Sequence, residues 1–148
     1  MLGKKDGEIL KMNYLKIAKQ ITTEAHCGQK RKYTGEDYIN HPRRVSEKFT
    51  TENLQLVAWL HDVLEDSDFT AKDLLDRGIK AEVIDVIKNL TRQEGENYFN
   101  FIMKIKDNYQ ARIVKIEDIK DNLINSREGS LKDKYMLSLY ILETSVID

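Results

Sequence analysis

Between Trp59 and Thr70 the chain reads W-L-H-D-V-L-E-D-S-D-F-T. A histidine and three carboxylates, His61, Asp62, Glu65 and Asp66, fall within six positions directly after an apolar run. Residues three and four apart share a helical face, so Asp62, Glu65 and Asp66 lie together, with His61 about 100° away. Carboxylates crowded on one face repel each other, and a divalent cation reverses that cost. On composition alone, a solvated acidic helix end accounts for the cluster equally well, because charged side chains are mostly exposed.

Two other stretches carry the same irregularity. His41, one of three histidines (His26, His41, His61), opens H-P-R-R-V, and Asp118 interrupts the apolar face of A-R-I-V-K-I-E-D-I-K-D-N. Two imidazoles and two carboxylates drawn from three helices form a mixed nitrogen and oxygen donor set suited to Mn²⁺, Fe²⁺ or Zn²⁺. Such a cation neutralises phosphoryl charge and acidifies water, and a neighbouring carboxylate can orient or deprotonate that water. Lys30-Arg31-Lys32 and Arg43-Arg44 are candidates for holding phosphate; for Lys30, Arg43 and Arg44 an ordinary solvated surface is the alternative.

The elements that must bring these residues together read as helices. No alternating segment is bounded by turn signals, so the chain is expected to be all-α. Leu10, Tyr14, Ile17 and Ile21 form one stripe of a helix over about 8–27. A Gly-containing basic loop follows, then a helix from near Tyr38 with His41-Pro42 in its first turn, where proline is tolerated. A helix over 52–66 is apolar on more than one face and should be central, with Trp59 in the core. Thr70 and Asp73 are spaced as a capping box for a short helix ended by Gly78. Further helices are expected over 80–90, 96–107, 109–125 and 131–146. The expectation is one compact bundle of about six to eight helices over residues 1–148.

Composition limits the function classes. With 148 residues the chain can bury one proper core. Twenty-four basic against 25 acidic residues leave a net charge of -1, so no global field draws it to nucleic acid or an anionic membrane. No apolar run approaches the ~20 residues of a membrane span, and the N-terminal stretch is too polar for a secretory signal. Cys27 is the only cysteine, which excludes an internal disulfide and points to a reducing, cytoplasmic setting.

Four blocks carry a resemblance: A-H-C-G-Q-K-R-K-Y-T-G-E-D-Y-I-N-H-P (25–42), L-H-D-V-L-E-D-S (60–67), L-T-R (90–92) and V-K-I-E-D-I-K-D-N (114–122). Taken in order, they resemble the HD-domain phosphohydrolases, in particular the hydrolase domain of RelA/SpoT-type enzymes and their small stand-alone relatives. The resemblance implies His41, His61, Asp62 and Asp118 as ligands of one divalent metal, usually Mn²⁺. It implies that Glu65 and Asp66 position or activate the attacking water, that Arg31 and Lys32 lie beside the nucleotide, and that Asn122 faces the pocket near the sugar. The expected activity is metal-dependent hydrolysis of the 3′-diphosphate of guanosine tetra- or pentaphosphate. Alternatives are a phosphatase acting on a 5′-nucleotide or phosphorylated dinucleotide, and a module that senses a nucleotide without cleaving it.

Some positions depart from the family pattern. Glu117 stands where a small or apolar residue is usual, Asp37 where proline is common, and D-I-K-D-N replaces D-R-L-H-N, so that Asp121 occupies the place of a histidine. His26 is assigned no metal role and is expected in the core or behind the ligands. Tyr98 has the spacing of a core residue, with stacking on a base as the alternative.

Overall fold

The computed structural model describes residues 4–5, 8–9 and 12–144. Among these, nine helical segments surround a continuous apolar core. The chain starts with a two-residue antiparallel ladder, β1 (Lys4–Lys5) on β2 (Glu8–Ile9), pairing Lys4 with Ile9 and Lys5 with Glu8. The first helix therefore begins later than periodicity suggests. α1 runs Tyr14–Ala25, and Asn13 starts it by accepting the Lys16 N–H on its side-chain oxygen at 3.0 Å. Leu10, the first member of the expected stripe, lies outside the described residues.

α2 (Asn40–Ser46) carries His41 and Pro42 in its first turn. α3 (Glu52–Leu60) has Leu56 through Leu60 buried, including Trp59, and packs against α1 and α2. The helix expected over 52–66 is broken: after Leu60, His61 and Asp62 form a turn, and α4 is the single turn Val63–Asp66. The His61 Nδ1–H donates to the Ala58 carbonyl at 2.6 Å, so the side chain occupies the acceptor one turn back, and Asp62 leaves regular helix at φ -101°, ψ -3°. Apolar periodicity continues through the break because Val63 is also buried.

α5 (Ala71–Asp76) has the expected capping box. Thr70 accepts from Asp73 N–H at 3.2 Å and its own N–H reaches the Asp73 carboxylate at 2.8 Å. Gly78 follows at φ +98°, a conformation that strains any residue with a Cβ. α6 (Ala81–Asn89), α7 (Tyr98–Lys106), α8 (Tyr109–Ile124) and α9 (Ser130–Thr144) complete the set. α8 packs on α2, α3, α6, α7 and α9, so one helix touches most of the others. Apart from the short ladder the fold is all-α, and no described helix is long and apolar enough to cross a membrane.

Candidate metal centre

Three elements bring the donor atoms together. His41 comes from α2, His61 and Asp62 from the break after α3, and Asp118 from the middle of α8. One ligand atom from each lies within 4.8 Å of the others. His41 Nε2 is 2.8 Å and His61 Nε2 3.2 Å from Asp118 Oδ1; Asp62 Oδ2 is 3.0 Å from His61 Nε2 and 3.7 Å from His41 Nε2. The helix break gives this arrangement its geometry, because it lets His61 and Asp62, adjacent in sequence, face one point. Both histidines and Asp118 are buried.

Charge balance dominates the cluster. Burial would push Asp118 up, but the Lys115 ammonium and the two imidazoles outweigh it and hold the carboxyl well below the usual range. Burial likewise opposes ionisation of Asp62, and the charge of His61 beside it prevails. His61 and His41 move the other way: burial favours the neutral rings, while the carboxylates facing them push both above the ordinary histidine value. Protons on the imidazoles thus satisfy the carboxylates. The same four atoms, two nitrogens and two oxygens, would satisfy a divalent cation of the Mn²⁺, Fe²⁺ or Zn²⁺ type.

The cluster backs a cavity of about 620 Å³. Asp62 and Asp118 open into it, and Glu65, Asp66, Arg31, Lys32 and Asn122 also line it. Glu65 Oε1 accepts the Arg92 N–H at 3.1 Å. Partial desolvation of its carboxyl at the cavity, together with the charges of Asp62 and Glu65, pushes Asp66 up to about 6. Arg31 donates to Asn122 Oδ1 at 2.9 Å, and Asn122 Nδ2 donates to Asp118 Oδ1 at 3.3 Å. The loop carrying Arg31 and Lys32 is a tight hairpin: Arg31 and Glu36 pair through Arg31 N–H at 2.8 Å, and Gly35, at φ +71°, returns its N–H to Arg31. All nine residues expected at a site are therefore gathered around this cavity or directly behind it.

The other basic residues have acidic partners. Lys30 pairs with Asp37, Arg43 with Glu47 at 3.0 Å, and Arg44 with both Glu36 and Asp121. The Arg43–Glu47 pair is an i,i+4 pair that sequence spacing could suggest, whereas the pairing of Arg44 with Asp121 depends on how α2 packs on α8. His26 is buried behind the site, its Nδ1 3.0 Å from Gln29 Oε1 and its ring 4.6 Å from Tyr38. Tyr98 packs at the edge of the core beneath Lys134.

Residues to which the sequence reading gave no site role also touch the cluster. Tyr38 donates its hydroxyl hydrogen to Asp62, and burial beside that carboxylate pushes the phenol far up, so it stays a donor. Lys115 lies 2.9 Å from Asp118 Oδ2, and Asp121 Oδ2 lies 2.7 Å from His41 Nδ1. Spacing held a signal for the last two, since both sit three residues from Asp118 on one helix.

Comparison with known proteins bears on the family and the fold. No family model matches the chain. It is 30% identical to guanosine-3′,5′-bis(diphosphate) 3′-pyrophosphohydrolase of Aquifex aeolicus in an alignment that covers 72% of this chain. It is 32% identical over 117 residues to the protein of that name from Haemophilus influenzae, and 30% identical over 125 residues to the bifunctional (p)ppGpp synthase/hydrolase SpoT of Escherichia coli. The chain is a homologue of the SpoT-type hydrolase region. It spans 17% of the length of each of these relatives. A solved structure, described as a metazoan orthologue of SpoT that hydrolyses ppGpp and plays a role in starvation responses, superposes with a TM-score of 0.73. At 22% identity over 93% of this chain and 87% of the other, that match establishes the fold as the HD-domain fold of the SpoT type.

Proposed function

We propose that the chain is a Mn²⁺-dependent phosphohydrolase that removes the 3′-diphosphate of guanosine tetra- or pentaphosphate, in a cytoplasm where Cys27 stays reduced. The observation that carries this reading is the convergence of His41, His61, Asp62 and Asp118 within 4.8 Å, beside a cavity lined by both carboxylates and cations. Homology to proteins named for that activity supports this choice of substrate.

A divalent cation held by these four side chains would supply a Lewis acid for a phosphoryl oxygen and lower the pKa of an attacking water. The remaining work falls to the chain. Asp66, with a carboxyl raised to about 6, is matched to accept a proton from water near neutral pH. Glu65, fixed by the Arg92 N–H, orients that water. Arg31 and Lys32 carry the phosphate charge, with the Arg31 guanidinium held in place by Asn122. Asn122 faces the sugar. Attack by water oxygen on the phosphorus bonded to the ribose 3′-oxygen breaks that P–O bond; the 3′-oxygen takes a proton and diphosphate leaves.

The test is product analysis with Mn²⁺ and guanosine tetraphosphate. Release of diphosphate, lost together with metal binding in a folded Asp62→Ala variant, is expected. Orthophosphate from a nucleotide panel would instead mark a phosphatase. Tight nucleotide binding without turnover would mark a sensing module, and unchanged turnover in Asp62→Ala would remove the proposed site.

A further inference from the structure

Asp121 is neither one of the four candidate ligands nor part of the proposed chemistry, yet both of its oxygens are held. Oδ2 accepts from His41 Nδ1 at 2.7 Å, while Nε2 of the same ring faces Asp118. Arg44 donates to Asp121 twice, through Nε to Oδ1 at 2.8 Å and through a terminal nitrogen to Oδ2 at 3.1 Å. Its two terminal nitrogens also donate to Glu36, at 3.0 and 2.7 Å. The Arg31 guanidinium stands 3.9 Å from Asp121 Oδ2. A line of groups thus runs from Glu36 through Arg44 and Asp121 to His41.

A histidine that gives its Nδ1 proton to a carboxylate has its Nε2 lone pair free for a cation, and the carboxylate makes that nitrogen a stronger donor. We propose that Asp121 is a positioning residue for His41, held by Arg44 and Glu36, and that this line sets the affinity of the centre for a divalent cation. The inference rests on the metal-centre reading above. A purely structural role, tying α2 to α8, is the competing account. It predicts changes in stability and none in metal affinity at a folded site.

Mn²⁺ affinity, measured by electron paramagnetic resonance, separates the two, with Co²⁺ absorption reporting the ligand field and folding checked in chelator. Asp121→Asn keeps the shape and removes the charge; it is expected to weaken Mn²⁺ binding about 10- to 100-fold and to shift the Co²⁺ bands. Arg44→Met should weaken binding by a smaller factor in the native background and not at all in the Asp121→Asn background, because it acts through Asp121. Wild-type affinity in folded Asp121→Asn overturns the proposal. Should that variant not fold, Glu36→Gln and Arg44→Met decide instead: an unchanged dissociation constant in both overturns it. Wild-type protein that binds no Mn²⁺ removes the centre and this inference together. Wild-type protein that binds Mn²⁺ but cleaves no nucleotide removes only the proposed reaction.

Discussion

At the scale of single residues, Asp66 connects stability with chemistry. Its carboxyl is raised from 3.8 to about 6 in the folded chain, so between those values the native state holds more protons than the unfolded one. Metal-free protein therefore loses stability as pH rises from about 4 through about 6, and carries the full penalty above. Asp66 is an exposed residue, so solvent screening reduces the penalty to about 1 kcal/mol. Asp66→Asn should recover that amount in chelator at pH 8 and nothing at pH 3.5, read by denaturant unfolding at both values. The same substitution should cost about 10²- to 10⁴-fold in turnover with Mn²⁺ if the carboxylate takes the water proton. That His41, His61, Asp62 and Asp118 come together was partly legible, because acids and imidazoles interrupt apolar runs, and the family resemblance completed the set and added Asp66. Arg44 was not legible: a basic residue after His41-Pro42 reads as a phosphate anchor until Glu36 and Asp121 are seen to occupy it.

At the scale of elements, local chemistry sets the ends of helices and the site depends on one irregularity. Thr70 and Asp73 were readable as a capping box because both partners are close in sequence. Thr70→Ala should cost about 1 kcal/mol, measured by unfolding, with Mn²⁺ affinity and turnover unchanged since α5 carries no site residue. Gly78→Ala should cost more, about 1–2 kcal/mol. The added Cβ would sit at φ +98° and 3.1 Å from Met12 Sδ. The break between α3 and α4 was hidden, because Val63 continues the buried stripe of α3 and only the bond from His61 to the Ala58 carbonyl marks it. The start of α1 was misplaced for a related reason. Tyr14, Ile17 and Ile21 are truly helical, but Asn13 caps the helix and Glu8–Ile9 pairs as a strand, which periodicity cannot register.

At the scale of the whole molecule, the core and the cluster have opposite energetic signs. Apolar side chains of α3, α6, α7 and α8 pack together and favour folding. The same packing brings Asp62 and Asp118 to the bottom of a cavity, where protonated imidazoles and Lys115 must offset their charge. A cation that replaced the imidazole protons would bind only when α2, α3 and α8 are assembled, since no two of these elements supply all four donors. Binding of a metal there would therefore be folding free energy for the entire helical set, not for one loop. At a free Mn²⁺ concentration 100 times its dissociation constant, stability should rise by about 2.7 kcal/mol. For a chain of this size the melting temperature should rise by roughly 5–10 °C. Chelator should reverse the rise, and Asp62→Ala should abolish it while melting cooperatively in chelator. A melting temperature indifferent to Mn²⁺ in the unaltered chain would mean that the three helices meet for packing alone.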